Sequence, residues 1–177
     1  MNKSILEITR FSLAVTVLIG LMLSSTSEGW TQQESGALKQ RMIGSWVLVS
    51  AICEQAGSKR DIYGPNPRGV ATFDSNGRFS LTLMRSSLPR ISSNNREAPT
   101  SDESKAIAVG VLAYYGWYTV GDNDANVTFH IEASTFPNWD GVDQKRTVTI
   151  TGEELGIINP ATTAGSGTAY VTWKRAK

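Results

Sequence analysis

The sequence predicts an all-β fold, an eight-stranded antiparallel up-and-down barrel with one short helix inserted between the third and fourth strands. Short runs of alternating apolar and polar residues recur along the chain, and each run is closed by turn-forming residues. Asn76-Gly77 between two such runs is a strong hairpin signal. Sequential antiparallel strands must also protect their edges, and closure of the sheet into a barrel removes the edges altogether.

The strands follow one another in chain order with one long interruption. The eight predicted strands cover residues 45–53, 70–73, 78–84, 114–120, 127–134, 144–150, 155–158 and 168–175. The interruption at residues 85–100 is polar, and it runs into Thr100-Ser101-Asp102-Glu103, a capping box that starts a predicted helix at residues 101–112. A shorter helical turn is expected around residues 36–42, before the first strand.

The beginning of the chain has the order of a secretory signal peptide. Lys3 and Arg10 precede an apolar run at residues 11–23, and small, mostly polar residues follow it. The run is too short to span a membrane comfortably, which takes about 20 residues. We expect cleavage after Ser27 or Gly29; the other interpretation is an uncleaved N-terminal anchor. The predicted division is a signal peptide at 1–29, an N-terminal segment at 30–41 and a barrel domain at 42–177, exported to a periplasm or out of the cell.

The charge of the chain favours no electrostatic partner. Its 17 basic and 16 acidic residues give a net charge of +1, and removal of residues 1–29 takes away two of each sign. We therefore expect no nucleic acid partner and, after signal cleavage, no membrane partner. Cys53 is the only cysteine and His130 the only histidine, so the sequence indicates no intrachain disulfide and no metal site, and we expect no cofactor.

Several motifs resemble those of a known family. Gly44-Ser45-Trp46 resembles the G-x-W of lipocalins, and Trp173-Lys174-Arg175 is similar to the lipocalin strand end, whose basic residue lies across that tryptophan. The ordered motifs GPNPRG (64–69), LMR (83–85), YYGWY (114–118) and FPNWDGVDQKR (136–146) more specifically resemble the bacterial and fungal lipocalin-like domain family. The resemblance covers about residues 42–175 and implies a calycin-type barrel for a small ligand.

Two consecutive strands carry the residues from which we expect a site. On the first strand, the apolar face with Val127 and Ile131 should point into the barrel, which exposes His130 and Glu132. On the second strand, four residues share one register and should point the same way: Gln144, Arg146, Val148 and Ile150.

The register draws the guanidinium of Arg146 toward the interior, where a buried arginine requires an acceptor. One alternative is that Arg146 lies in water at the barrel mouth. The other is that the polar face of residues 128–134 turns inward near the break at residues 136–141, so that Glu132 pairs with Arg146. The resemblance favours the second alternative, because the family motif pairs an H-x-E-like strand with a Q-x-R strand.

The expected ligand-binding residues are Arg146, Gln144, Glu132, His130, Tyr118 and Trp139. Tyr118 belongs to a dense aromatic run, half of which must face inward, either as a ligand wall or as core. Trp139 is either a lid over the pocket or a staple within a tight loop. The catalytic residues are unknown, with His130 and Glu132 as candidates.

Two classes of function remain open. The favoured one is an exported lipocalin-like protein that binds a small, largely apolar or amphipathic molecule in the barrel cavity. The alternative is a cofactor-independent isomerase or cyclase, in which His130 or Glu132 moves a proton and Arg146 stabilises an oxyanion. A third interpretation is a packed, dry barrel with a structural role in the cell envelope.

Overall fold

The computed structural model describes residues 36–121 and 125–177. The predicted signal peptide and its cleavage positions lie outside the described residues, and the N-terminal segment at 30–41 is described only from residue 36 onward. No helix within these two ranges is long and apolar enough to cross a membrane.

The described chain forms a closed antiparallel barrel. Its strands are β1 (Gly44–Gln55), β2 (Ser58–Asp61), β3 (Arg68–Phe73), β4 (Arg78–Met84), β5 (Val111–Val120), β6 (Asn126–Ser134), β7 (Asp143–Thr151), β8 (Glu154–Asn159) and β9 (Thr168–Arg175). Each barrel strand pairs with its neighbours in chain order, and β1 pairs with β9 to close the sheet. The predicted eight-stranded barrel is confirmed, with β2 as an additional strand.

The additional strand β2 forms a tight hairpin with the second half of β1. Ala56 and Gly57 between them have positive φ angles of 48° and 78°, as both central residues of a type I′ turn require. Every residue of β2 is exposed. The strand therefore lacks the alternation of apolar and polar residues by which the other strands are recognised in the sequence.

In the described part of the chain, two α-helices accompany the barrel. Residues 36–42 form helix α1, as expected, and α2 spans Ser101–Gly110 between β4 and β5. Both hydrogen bonds of the capping box at Thr100 and Glu103 are present. The helix ends two residues before the predicted residue 112, because Val111 and Leu112 already belong to β5.

The two ends of the barrel differ in their connections. At one end, which we call the closed end, strands join through short turns such as residues 74–77 and 152–153, and α1 covers the opening with its buried Leu38 and Met42. At the other, open end lie four longer connections: residues 62–67, 85–110, 135–142 and 160–167. The open end is therefore the side at which a ligand can reach the interior.

At the closed end, Trp46 packs against a basic residue of the last strand, for which the sequence offered Lys174 or Arg175. Trp46 is fully buried and donates its indole N–H to the carbonyl oxygen of Met42 at 2.8 Å. The guanidinium of Arg175 lies 4.2 Å from the centre of the Trp46 ring, and it donates to the carbonyl oxygens of Arg41 and Ile43 at 2.7 and 3.1 Å. The expected basic residue across Trp46 is confirmed as Arg175.

Candidate functional site

The inward face of β7 follows the predicted register. Arg146 and Val148 are buried, and Gln144 and Ile150 are partly buried, whereas Lys145 between them is exposed. Arg146 is only 4% exposed although it lies near the open end. The strand thus carries a guanidinium into the barrel interior, as the sequence predicted.

The surroundings of Arg146 are largely aromatic. Its guanidinium carbon lies 5.1 to 5.3 Å from the ring centres of Phe129, Tyr114 and Trp139, within the range of a cation–π interaction. Nη1 donates to the hydroxyl oxygen of Tyr114 at 2.5 Å, and Nη2 donates to the side-chain carbonyl oxygen of Gln144. The acceptors are therefore both neutral.

Within the described residues, Arg146 has no carboxylate partner, and its Nε is buried without a hydrogen-bond acceptor. A buried charge normally needs both a counter-charge and full hydrogen bonding, because removal from water costs several kcal/mol. Arg146 consequently lacks an anion or a further oxygen acceptor, and the cavity beside it has space for one.

Both sequence-based alternatives for Arg146 are wrong. The side chain is not in water, and Glu132 does not pair with it: Glu132 lies on the outer wall and accepts from Arg78, with one contact at 2.7 Å. The break at residues 135–142 comes after Glu132, and buried Phe129 and Ile131 keep β6 in regular alternation up to this residue. The polar face of β6 therefore stays outside as far as Glu132, where the pairing with β5 shifts register.

His130 also lies on the outer wall. Its ring stacks on Trp117 with centroids 3.5 Å apart and an interplanar angle of 13°. Nδ1 lies 2.6 Å from a carboxylate oxygen of Asp143, and Nε2 lies 3.2 Å from the hydroxyl of Thr119. The barrel wall separates His130 and Glu132 from Arg146, so the catalytic arrangement of the isomerase or cyclase hypothesis is not assembled.

Tyr118 faces inward but belongs to the closed end. It packs edge-to-face on Phe73 with ring centres 5.4 Å apart, and its hydroxyl lies 3.4 Å from the carbonyl oxygen of Asp74. Burial, assisted by Asp74, raises the pKa of Tyr118 to about 12. The sequence analysis expected Tyr118 among the ligand-binding residues, but Tyr114, four residues earlier on the same face of β5, is the tyrosine beside Arg146.

Trp139 lies where the irregular stretch at residues 135–142 crosses the open end. A single 3₁₀ turn spans Pro137–Trp139, and a carboxylate oxygen of Asp140 accepts from the backbone N–H of Ser134 at 2.8 Å to hold it. The indole packs edge-to-face on Tyr114 at 5.3 Å. Trp139 thereby forms part of the cavity wall next to Arg146.

Two adjacent spaces lie at the open end. The inner cavity has a volume of about 40 Å³ and is bordered by Arg146, Tyr114 and Trp139, which is room for about three water molecules. Above it lies a vestibule of about 360 Å³ between α2, β2 and the connection at residues 160–167. The residues that border both spaces are Ile62, Tyr63, Leu112, Thr163 and Ala164.

Tyr63 is a buried site residue that the sequence analysis missed. Burial raises the pKa of Tyr63 well above its usual value; the nearby Tyr114 adds to the rise, and Arg85 opposes it. The phenol therefore stays neutral between the two spaces. Its signal in the sequence is the apolar pair Ile62-Tyr63, which stands between the polar segments SKRD and GPNPRG.

A closed barrel with one covered end and a cavity at the other is the architecture of the lipocalin class. The chain matches the lipocalin-like domain family over residues 43–176 and belongs to that family, which confirms the resemblance found in the sequence. It is similar to the 4'-hydroxy-3'-methoxypropiophenone carrier protein of Aspergillus oryzae, with 30% identity over 106 residues that cover 55% of this chain and 96% of that protein.

Among solved structures, the chain shows a distant likeness to a variant of the fluorescent protein UnaG. The match has a TM-score of 0.35 and 10% sequence identity, and it covers 77% of this chain and 97% of the other.

Proposed function

We propose that this protein binds a small, largely apolar molecule at the open end of its barrel and holds an oxygen atom of that molecule with Arg146. The observation that carries the proposal is a guanidinium buried beside a cavity without a carboxylate partner among the described residues. A ligand oxygen that replaces lost water as the acceptor would offset part of the cost of burying this charge.

The wall around Arg146 favours a flat, ring-containing ligand. Tyr114, Phe129 and Trp139 present ring faces and edges around the guanidinium, and aromatic pairs add about 0.5–1.5 kcal/mol to the burial of apolar area. The relative in Aspergillus oryzae is named as the carrier of an aryl ketone. We therefore place this protein's ligand in the class of small aromatic molecules with a carbonyl or hydroxyl oxygen.

The sizes of the two spaces indicate which part of the ligand each space can hold. The inner cavity of about 40 Å³ has room for the oxygen-bearing end only, and the vestibule of about 360 Å³ has room for a ring with substituents. In this arrangement Arg146, held in place by Gln144, binds the inner end of the ligand. Ile62, Tyr63 and Leu112 surround the body of the ligand.

The affinity for a simple aryl ketone tests this assignment. Propiophenone, titrated against the protein with tryptophan fluorescence as the signal, is expected to bind the wild type, to lose binding with Arg146→Leu, and to recover it only partly with Arg146→Lys, since lysine lacks the planar fork of donors. Arg78→Leu on the outer wall is the matched control and should leave the affinity unchanged. Affinities within twofold for both Arg146 variants would refute the proposal.

We also propose that the protein acts after export. The support is the order of Lys3, Arg10 and the apolar run at residues 11–23. N-terminal sequencing of the protein from its own host should give a first residue between Thr26 and Thr31. An intact Met1 on a soluble cytoplasmic product would contradict export and would leave the ligand site untouched.

A further inference from the structure

The vestibule carries two arginines that the ligand site at Arg146 does not use. Arg60 and Arg85 both line it, and no Asp or Glu side chain from the described ranges lines either the vestibule or the inner cavity. Two cations on the wall of one concave space, without acids between them, give the opening a positive potential that attracts anions.

Arg85 is built into the vestibule rather than extended into solvent. It follows β4 directly, its backbone N–H donates to the carbonyl oxygen of Gly110 at 2.9 Å, and its side-chain carbons lie against that glycine. Its Nε is buried without a hydrogen-bond acceptor. Arg85 makes no ion pair with any residue that the structure describes.

The neutral phenol of Tyr63 cannot serve as the missing counter-charge. Tyr63 lines both the vestibule and the inner cavity, and desolvation keeps its pKa far above neutrality despite the opposing effect of Arg85. The donors of Arg85 therefore face a space in which no described residue supplies a negative charge.

Arg60 fixes the other side of the same opening. Its Nη2 donates to the carbonyl oxygen of Ala164, so β2 is tied to the connection at residues 160–167. Gln55 makes a second tie, through its side-chain amide to the hydroxyl of Ser166. The contact with Ala164 holds the guanidinium of Arg60 at the rim, and Arg60 makes no other side-chain hydrogen bond or ion pair with a described residue.

We infer that the vestibule is a second subsite for a carboxylate, and hence that the ligand is an amphipathic aromatic acid with its neutral oxygen at Arg146 and its carboxylate at Arg85 and Arg60. The inference rests on the proposed function, because it concerns the outer end of the same ligand. Arginine suits this role since its fork of donors matches the two oxygens of a carboxylate.

A pair of compounds that differ in one charge tests the subsite. We choose 3-(4-acetylphenyl)propanoic acid and its methyl ester, which share the ring and the ketone. The wild type is expected to bind the acid about tenfold or more tightly than the ester, as charge-assisted hydrogen bonds are about twice as strong as neutral ones. Arg85→Gln should bring the two affinities within about twofold by weakening the acid alone, Arg60→Gln should do so in part, and Arg85→Lys should retain the preference.

The outcomes separate the two proposals. Equal affinities of the wild type for acid and ester, or an undiminished preference in a folded Arg85→Gln variant, would overturn the carboxylate subsite while leaving the role of Arg146 intact. Arg146→Leu should weaken both compounds alike. Failure of the wild type to bind either compound while it still binds propiophenone would overturn the subsite alone, and failure to bind propiophenone as well would refute the proposed function. Circular dichroism and the urea midpoint of each variant establish that it is folded.

Discussion

Each end of the barrel holds an arginine against aromatic side chains, with Arg146 buried and Arg175 partly buried, and the two arginines differ in how fully their hydrogen-bond donors are paired. At the closed end, Arg175 lies over Trp46 and donates to two backbone carbonyls. At the open end, Arg146 lies among three rings, meets two neutral side-chain acceptors and leaves its Nε without a partner.

This difference separates a stabilising residue from a binding residue. Arg175 donates to the carbonyls left unpaired at the end of α1, so its hydrogen bonds complete the fold. Arg146 brings a charge into a cavity that the described residues leave electrostatically incomplete. The indole N–H of Trp173 is also buried without a partner, but it is neutral and borders neither space at the open end, so the cost of leaving it unsatisfied is smaller.

Truncation of a core side chain at the closed end should have the largest effect on the free energy of unfolding. Trp46→Ala removes a fully buried indole together with its hydrogen bond to Met42 and the ring beneath Arg175, and it should lower the free energy of unfolding by about 3–5 kcal/mol. The neighbouring Val47→Ala, on the exposed face of β1, serves as the control. Urea denaturation measures both, and an equal, small loss would mean that Trp46 is not part of the core.

Two tyrosines lie on the same inward face of β5, Tyr114 toward the open end and Tyr118 toward the closed end. Replacing each by phenylalanine removes one hydroxyl and allows the losses of stability at the two ends to be compared. Tyr114→Phe deprives the buried Arg146 of an acceptor at 2.5 Å, and without ligand it should destabilise the fold by about 1–3 kcal/mol. Tyr118→Phe removes only a weak contact at 3.4 Å to Asp74 and should cost less. Thermal unfolding of both variants measures the two losses of stability. A greater loss for Tyr118→Phe than for Tyr114→Phe would contradict this prediction.

Substitutions on the outer wall of the barrel should have the smallest effects on stability and on ligand affinity. Arg78 lowers the pKa of Glu132 through its hydrogen bonds, so the pair contributes stability above the ordinary glutamate pKa of about 4.3, and this is lost as pH falls through the lowered folded-state value. Both side chains are exposed, so solvent screens the pair. The small difference in urea midpoint between wild type and Glu132→Gln should therefore vanish in acid, and propiophenone affinity should not change. A weaker affinity of Glu132→Gln for propiophenone would mean that Glu132 contributes to the ligand site.

Much of the barrel could be predicted because strand alternation and turn residues are local signals. The inward register of Arg146 followed from Val148 and Ile150 on the same strand, and the contact between Trp46 and a basic residue of the last strand followed from the family motifs. Strand β2 could not be found in this way, since a fully exposed hairpin strand has no apolar face to reveal it.

The partners of Arg146 could not be predicted from neighbouring strands alone. Glu132 is close along the hairpin, but alternation places it on the opposite face of the wall, where Arg78 from β4 reaches it. Choosing Tyr114 over Tyr118 required knowing which end of β5 is open. The open end is defined by the long connections, which come together only in the folded structure. The position of Tyr63 between the vestibule and the inner cavity depends on the same long connections.

The stabilities of Arg146→Leu and Arg175→Leu, measured side by side without ligand, test most directly whether Arg146 serves binding rather than folding. We predict that Arg175→Leu lowers the free energy of unfolding by about 1–2 kcal/mol through loss of its ring and carbonyl contacts. Arg146→Leu should leave that free energy unchanged or raise it, because an incompletely satisfied buried charge is replaced by an apolar side chain. A loss at Arg146 as large as that at Arg175 would make Arg146 a structural residue and contradict its assignment to a ligand.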